Sequence, residues 1–198
     1  MKPDLDEMLS KIGGSGYLAG QILVAMPNMG DPRFERSVIF LCVHNSEGAM
    51  GLILNRINTA MDFGELMQQL NIETSTDTRS IPVHFGGPVE MGRGFVLHSA
   101  DYIQDGSLMV GEDFALTATV DILKALAQGQ GPKQAILALG YAGWGPGQLD
   151  AEMQQNGWLN VPADANLVFS SNMEAKWHQA IAKLGIEQAQ LSGEAGRA

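Results

Sequence analysis

The sequence predicts a single α+β domain in which helices flank a largely antiparallel or mixed sheet. Two strongly apolar segments, 37–44 and 50–55, are separated by the five residues NSEGA, whose Asn and Gly are typical of a hairpin loop. Helical and strand patterns alternate elsewhere, but this hairpin and several tight turns argue against a purely parallel, doubly wound sheet. A chain of 198 residues is long enough to bury a core without disulfides.

Three segments have the pattern of buried strands. Residues 37–44 and 134–141 are apolar on both alternating faces, which is typical of strands that are covered on both sides. Residues 50–55 are expected to pair with the first of them as an antiparallel hairpin, so that all three lie in the central sheet. A glycine-rich turn is expected after residue 141. Shorter strands are predicted at 22–26, 83–85, 95–98, 107–110 and 166–170, with a turn over 86–94.

Helices are predicted where apolar residues recur at intervals of three and four. The segment 62–70 is the clearest case, with an apolar stripe that begins at Phe63. Asp31 as N-cap, followed by Pro32 at the first helical position, predicts a capped helical turn before the first long strand. Further helices are predicted at 120–127, capped by Thr119, and at 146–155 and 174–184.

The domain is expected to span residues 17–185 between two peripheral segments. Residues 1–16 form an amphipathic leader whose apolar residues recur at helical spacing. We expect this leader to pack on the domain or on a second copy of the chain. Residues 186–198 are expected to be a flexible tail.

The composition indicates a cytoplasmic protein. The N-terminal segment lacks the basic and apolar regions of a signal peptide, and no stretch approaches the ~18 apolar residues of a membrane helix. The single cysteine, Cys42, excludes an intrachain disulfide. The formal net charge of −10, from 12 basic and 22 acidic residues, repels phosphate backbones, so direct nucleic-acid binding is disfavoured.

Three segments resemble the bacterial YqgE/AlgH family in their order and spacing, and the resemblance extends over about residues 17–185. It implies a compact α+β fold with a bifurcated sheet curled into a pseudo-barrel. It also implies a regulatory attribution, including transcriptional regulation, without an established biochemical activity. Ile57, at a position where proline is common, departs from the family pattern. The segments are LVAMPNMGDPRFERSVIFLCVHNSEGAMGLILNR (23–56), FGGPVEMGRGFVLHS (85–99) and GYAGWGPGQLDAEMQQNGWL (140–159).

The polar residues of the long strand allow an enzyme hypothesis. Period-two alternation places Cys42 and His44 on one face, where the histidine could draw a proton from the thiol. An enzyme that is hydrolytic or thiol-dependent would then use these two residues with His98. The structural interpretation is favoured, because a cysteine on a buried strand behaves as a small hydrophobe. Ser37, as an alternative nucleophile, lacks the G-x-S-x-G elbow.

No cofactor or metal is predicted. His44, His84 and His98 each lie near the end of a strand and could converge, but the sequence contains neither H-x-x-x-H nor C-x-x-C spacing. The glycine-rich segment after residue 141 lacks the lysine of a phosphate loop.

Polar residues at strand ends supply the favoured site. They either satisfy one another in a structural network or line a cleft. From this set, Arg36, Arg93 and Gln148 are predicted to bind a ligand, because two guanidinium groups and an amide orient an anionic or carbonyl group. The favoured hypothesis is therefore a non-catalytic binding or regulatory module. Its expected partner is an unknown protein or a small anionic ligand.

Overall fold

The structure is a computed structural model that describes residues 18–27, 29–75 and 81–185. The predicted leader (1–16) and tail (186–198) lie outside these described residues. The strands are β1 (Gln21–Ala25), β2 (Val38–Asn45), β3 (Gly48–Ile53), β4 (Val83–Phe85), β5 (Val89–Ser99), β6 (Ser107–Val110), β7 (Phe114–Thr117), β8 (Ala135–Trp144) and β9 (Trp158–Pro162). The helices are α1 (Phe63–Gln69), α2 (Val120–Ala127), α3 (Gln148–Gln154), α4 (Ala165–Val168) and α5 (Met173–Ala182), with a 3-10 turn at Pro32–Phe34.

The described strands form one curled sheet that makes a half-barrel, which confirms the predicted α+β class. The strand order is β6-β7-β5-β8-β3-β2-β1-β9, and all pairs along this path are antiparallel. β4 adds to β8 as a parallel neighbour. The sheet is therefore bifurcated at β8. On the edge opposite β5, the first half of β8 pairs with β4 and its end pairs with β3. None of the described helices combines the length and the apolar character needed to cross a membrane.

Glycines cause the bifurcation. Gly140, in the middle of β8, has a φ of +74°, which ends the pairing with β4 after Leu139. Gly86 donates its N–H to the carbonyl of Leu139 (2.8 Å) and accepts from the N–H of Ile53 (2.9 Å). A Cβ on Gly86 would lie 2.2 Å from the Gly140 carbonyl oxygen, so a side chain at this crossing has no room.

Both faces of the central strands are covered, as their doubly apolar sequences predict. Phe40, Leu41, Ile53 and Leu137 are all 0% exposed. The β2–β3 hairpin and the β3–β8 pairing confirm that the three predicted strands lie together. One cluster fills the concave side of the sheet beneath α5, a second lies under α1 and α2, and a third lies under α3 and the 3-10 turn.

Of the two predicted caps, Asp31 and Thr119, only Asp31 makes a capping hydrogen bond, and Asp62 supplies a cap that was not predicted. Asp31 accepts a hydrogen bond from the main-chain N–H of Arg33, and Asp62 forms a reciprocal capping box with Glu65. Thr119 occupies the N-cap position of α2, but its side chain makes no capping hydrogen bond.

Two predicted elements are wrong. Residues 166–170 are not a strand, because the carboxylate of Asp164 accepts from the N–H of Leu167 (2.9 Å) and caps helix α4 instead. The predicted turn at 86–94 is mostly strand: β5 begins at Val89 and absorbs the polar and glycine residues with a register shift before Gly94.

Strand pairing also extends beyond the predicted segments. β8 continues through the start of the glycine-rich segment to Trp144, and α3 begins only at Gln148, after Gly147 with a φ of +70°. The short strands β7 and β9 have no prediction that corresponds to them. Pairing with longer neighbours, rather than their own periodicity, makes these segments strands.

Lys176 and His84 are two of the buried basic residues, and the charge of the first acts on the second. Lys176 on α5 is 0% exposed and donates a hydrogen bond from Nζ to the Val168 carbonyl (2.9 Å). Burial lowers the pKa of Lys176 to about 8. Burial, followed by the positive charge of Lys176, lowers the pKa of His84 to about 4. Both groups therefore reduce stability over part of the pH range.

We predict that Gly140→Ala is far more costly than Gly111→Ala. The two glycines share nearly the same φ, +74° and +71°, so the left-handed strain is matched. A Cβ at Gly140 would lie 2.4 Å from the Gly87 carbonyl oxygen, whereas nothing lies within 4 Å at Gly111. Denaturant unfolding should give a loss of about 1 kcal/mol for Gly111→Ala and at least about 2 kcal/mol more for Gly140→Ala. Equal losses would contradict the proposed role of the crossing.

We predict that Lys176→Met raises the free energy of unfolding at neutral pH. Below pH 8 the ammonium is charged in both states, and the folded state alone carries the cost of its burial. Between pH 8 and 10.5 the folded state loses the proton first, so the cost disappears as the pH rises. The advantage of the methionine variant should therefore shrink by about 3 kcal/mol across this window. A difference that does not change between pH 7 and 10.5 would show that Lys176 reaches solvent.

Candidate functional site

The three segments that carry the sequence resemblance meet at one cavity of about 500 Å³. The first segment contributes the 3-10 turn, the second contributes the start of β5, and the third contributes the end of β8, helix α3 and the start of β9. We call this cavity the tryptophan cleft. Its lining consists of Met29, Gly30, Asp31, Arg33, Phe34, Pro88, Val89, Gly143, Trp144, Gln148, Glu152, Gln155, Asn156, Gly157 and Trp158.

Glu152 on α3 organises the cleft. Its Oε2 accepts hydrogen bonds from the indole N–H of Trp144 (2.9 Å) and of Trp158 (2.8 Å), and its Oε1 accepts from Nε2 of Gln148 (2.8 Å). Gln148 in turn accepts from the N–H of Gly145 (3.0 Å). Charge-assisted hydrogen bonds of this kind are stronger than neutral ones. One carboxylate thus fixes the end of β8 and the start of β9 to the helix that joins them.

Phe34 covers the two indoles. Its ring stacks on Trp144 with a centroid distance of 6.5 Å and meets the edge of Trp158 at 5.8 Å. The indoles are themselves packed edge to face at 5.8 Å and are almost completely buried. Phe34 is half-buried and thus presents part of a phenyl surface to the cleft.

Two side chains that follow the end of β3 hold the turn that carries Phe34. Arg56 donates to the carbonyls of Arg33 (2.5 Å) and Glu35 (2.9 Å), on either side of Phe34. Asn55 donates to the Arg36 carbonyl (2.8 Å) and accepts from the N–H of Val38 (2.9 Å). The Asn-Arg pair at the end of the first motif segment therefore positions one wall of the cleft.

The charges at the cleft are compensated within the protein. Asp31 and Arg33 form a two-pronged ion pair, with 2.6 Å between Nη2 and Oδ2. The side-chain hydrogen bond from Arg33 lowers the pKa of Asp31. Three N–H groups likewise compensate the charge of Glu152. The surfaces that remain for a ligand are therefore amide, glycine and aromatic groups.

The predicted ligand residues Arg36, Arg93 and Gln148 do not line one cavity. Gln148 lies in the tryptophan cleft, where its amide is bound to Glu152. Arg36 lies in a different cavity, and Arg93 forms an ion pair with Glu90 (3.5 Å) while its guanidinium lies over the Phe95 ring. Ligand binding by these three residues remains a prediction, but as separate contributions rather than as one site.

The structure does not support a Cys42–His44 pair. A register shift between Leu41 and Val43 interrupts the alternation, so the two side chains do not share a face. Cys42 is buried in the concave cluster, where desolvation raises the pKa of its thiol well above the usual range. His44 is paired with Ala49 on the other face and lies 3.5 Å from a carboxylate oxygen of Asp150 on α3.

The hydrogen bonds and the lowered pKa of His98 do not suit a catalytic base. Its Nε2 is bonded to Thr117 Oγ1 (2.8 Å), its Nδ1 is bonded to the Ser99 carbonyl (3.0 Å), and burial lowers its pKa. These bonds satisfy both ring nitrogens within the β5–β7 pair. Across residues 18–27, 29–75 and 81–185, no cluster of three or more His, Cys, Asp or Glu side chains is suited to hold a metal ion.

Glu152, Phe34 and Trp158 were not among the predicted site residues. A usable signal existed for Glu152, since it lies four residues after Gln148 and therefore one turn along the same helix face. No local signal connects Phe34 with Trp158, because their contact depends on the β1–β9 pairing over more than one hundred residues.

We predict that Glu152→Ala destabilises the protein by about 2–4 kcal/mol, because two buried indole N–H groups lose their acceptor. Glu152→Gln is the matched control. It keeps one oxygen for the indoles and should cost about 1 kcal/mol. Denaturant unfolding measures both, and the two indole N–H signals in an NMR spectrum report the local change. If the alanine variant were as stable as the glutamine variant, the carboxylate would not organise the cleft.

Comparison with known proteins places the chain in a family. A family model described as AlgH-like matches residues 22–189. A UPF0301 protein of Rhodopseudomonas palustris strain BisB18 is 55% identical over 99% of this chain and 97% of its own length. A UPF0301 protein of Rhodospirillum rubrum is 53% identical over 92% of this chain and 95% of its own length.

Solved structures agree with the sequence comparison. The solution structure of the AlgH protein from Pseudomonas aeruginosa is 39% identical, with a TM-score of 0.75 over 95% of this chain and 100% of that one. The crystal structure of a Corynebacterium diphtheriae protein has a TM-score of 0.68 over 92% of this chain and 94% of that one, but at 18% identity it shows the shared fold alone. Sequence and fold therefore lead to one conclusion: the chain belongs to the AlgH-like family of UPF0301 proteins.

Proposed function

We propose that this protein is a non-catalytic binding module with a regulatory role, and that its ligand or partner binds in the tryptophan cleft. The observation that supports this proposal is the convergence of three separate chain segments on one cavity. A cavity of about 500 Å³ is in the range of small-ligand sites. Hydrogen bonds that Glu152 accepts and that Arg56 donates hold its walls in advance of binding, which lowers the entropic cost of association.

The surface chemistry of the cleft favours a group with a flat apolar face and a carbonyl or carboxylate. The half-buried ring of Phe34 offers apolar contact, and the exposed side chains of Gln155 and Asn156 offer amide N–H donors. A small anionic ligand or a segment of a partner protein can carry both groups. The internally paired charges of Asp31 and Arg33 leave shape and amide contacts to determine affinity.

The regulatory role would be exerted in the cytoplasm through protein or ligand contacts. The net charge of −10 opposes direct contact with nucleic-acid phosphates. A free buried thiol at Cys42 is compatible with a reducing compartment. The transcriptional role attributed to the family would then pass through a partner that itself contacts DNA.

The alternative of a thiol-dependent or hydrolytic enzyme has less support. Burial and the raised pKa of Cys42 withhold the thiolate that such chemistry needs. Both ring nitrogens of His98 are hydrogen-bonded within the sheet, so neither is available as a general base.

Binding can be tested with a set of small aromatic amides and aromatic carboxylates at about 1 mM, a level that detects dissociation constants in the millimolar range. We expect the indole N–H signals of Trp144 and Trp158 to shift while that of Trp177 does not, because only the first two line the cleft. Comparison of the amide and carboxylate sets shows whether the ligand group is neutral or anionic.

A blocked cleft provides the control. Gly30 lines the cleft and has open space around its Cα, so Gly30→Phe should abolish the shifts. Gly92→Phe is the matched variant, since Gly92 also has open space but lies outside the cleft. The proposal fails if no compound shifts the two indole signals, or if both phenylalanine variants respond equally.

A further inference from the structure

The turn that carries Phe34 has a second cavity behind it. Residues 29–31, 33 and 34 line the tryptophan cleft, whereas Glu35 and Arg36 line a separate cavity of about 520 Å³ between the turn and helix α5. We call it the Arg36 cavity. Its lining consists of Glu35, Arg36, Asn55, Arg56, Met173, Glu174, Trp177 and His178.

Arg36 has an unusual backbone conformation. Its φ of +51° lies in the left-handed region, which disfavours residues with a Cβ. The amide of Asn55 enforces this conformation, since it bonds to the Arg36 carbonyl (2.8 Å) and to the N–H of Val38 (2.9 Å) on the far side of Ser37. A glycine or asparagine would adopt the same backbone more readily. The sequence thus places an arginine at a position where local geometry favours another residue.

The guanidinium of Arg36 lies over an aromatic ring but is not neutralised. It lies 5.8 Å from the ring centroid of Trp177, and that indole is fixed by a hydrogen bond from Nε1 to the Ala25 carbonyl (2.9 Å). Within the described part of the chain, the Arg36 guanidinium makes no hydrogen bond or ion pair. A stacked guanidinium keeps its N–H edge available for planar acceptors.

A second guanidinium lines the same cavity. Arg56 donates two hydrogen bonds to the carbonyls of Arg33 and Glu35. These neutral acceptors do not cancel the positive charge of its guanidinium. Glu35 and Glu174 also line the cavity, but both are exposed. Over the described residues, neither forms an ion pair within 4.0 Å with Arg36 or Arg56. The cavity is therefore lined by two guanidinium groups and two exposed carboxylates, and of these four groups the Arg36 guanidinium lies over an aromatic ring.

We propose that the Arg36 cavity binds an oxyanion group, a carboxylate or a phosphate, through the guanidinium of Arg36 with support from the charge of Arg56. This site is separate from the tryptophan cleft and goes beyond the proposed function. The left-handed backbone and the contact with the Trp177 ring restrict the position of the Arg36 side chain before a ligand arrives. A ligand that accepts two N–H bonds from a preorganised guanidinium gains both affinity and orientation.

Inorganic phosphate and acetate are the probes, each titrated at constant ionic strength against chloride. We expect saturable shifts in the NMR signals of residues 35–36 and 55–56 and of the Trp177 indole, with a dissociation constant on the order of 1 mM. The stronger of the two probes identifies the group as phosphate or carboxylate. Shifts that do not saturate, or that chloride reproduces, overturn the proposal.

Arg36→Gly separates binding from folding. Glycine suits the φ of +51°, so relief of strain offsets the added chain entropy, and the melting temperature should stay within about 2 °C of the wild type. Binding of the stronger probe should weaken at least about tenfold, since a charge-assisted hydrogen bond accounts for about that factor. Arg36→Asn gives a second readout with the same expected loss, because asparagine also tolerates the left-handed region.

Lys124→Gln is the control for the loss of one positive charge. Lys124 on α2 is exposed, is paired with Asp121 (3.0 Å) and lies outside the Arg36 cavity. The dissociation constant of this variant for the probe should equal that of the wild type. Unchanged binding in Arg36→Gly and Arg36→Asn, or an equal loss in Lys124→Gln, would show that Arg36 does not form the site.

Discussion

The close approach of the backbone at Gly86–Gly87 to the backbone at Gly140–Tyr141 is the constraint on which the rest of the structure depends. A Cβ at Gly87 would lie 2.1 Å from the carbonyl carbon of Tyr141, so the crossing exists only because no side chain occupies it. There β8 changes its neighbour from β4 to β3, and the sheet divides. The same crossing carries the chain to Val89 beside the end of β8, so the bifurcation and the cleft have one origin.

At the cleft, a network of hydrogen bonds further stabilises this apolar scaffold. Glu152 would be costly as a half-buried carboxylate, but three N–H donors at 2.8–2.9 Å replace the water that it loses. Because its donors come from β8, from α3 and from β9, the carboxylate fixes three consecutive elements with one side chain. The arrangement is rigid on the side of α3, whereas the opposite wall is a single short turn held by Arg56 and Asn55.

The parts of the fold that were predictable are those that local pattern determines. The doubly apolar segments 37–44 and 134–141 could be covered only inside a sheet, and the capped starts at Asp31 and Asp62 depend on neighbours within three residues. The bulge after Leu41 breaks period-two alternation, and no sequence signal marks it. The prediction that His44 shares a face with Cys42 was therefore wrong. The distribution of Arg36 and Gln148 over two cavities depends on contacts between segments far apart in the chain, which local pattern does not determine.

The turn at Asp31–Arg36 has a consequence for how the two cavities relate. Its Phe34 side faces the tryptophan cleft and its Arg36 side faces the Arg36 cavity, while Arg56 bonds to carbonyls on both sides of Phe34. A displacement of this turn at one cavity therefore changes the shape of the other. Linkage requires that any such effect be reciprocal, so a ligand that tightens the turn from one side would favour binding on the other by the same factor. The element that the two cavities share is six residues long.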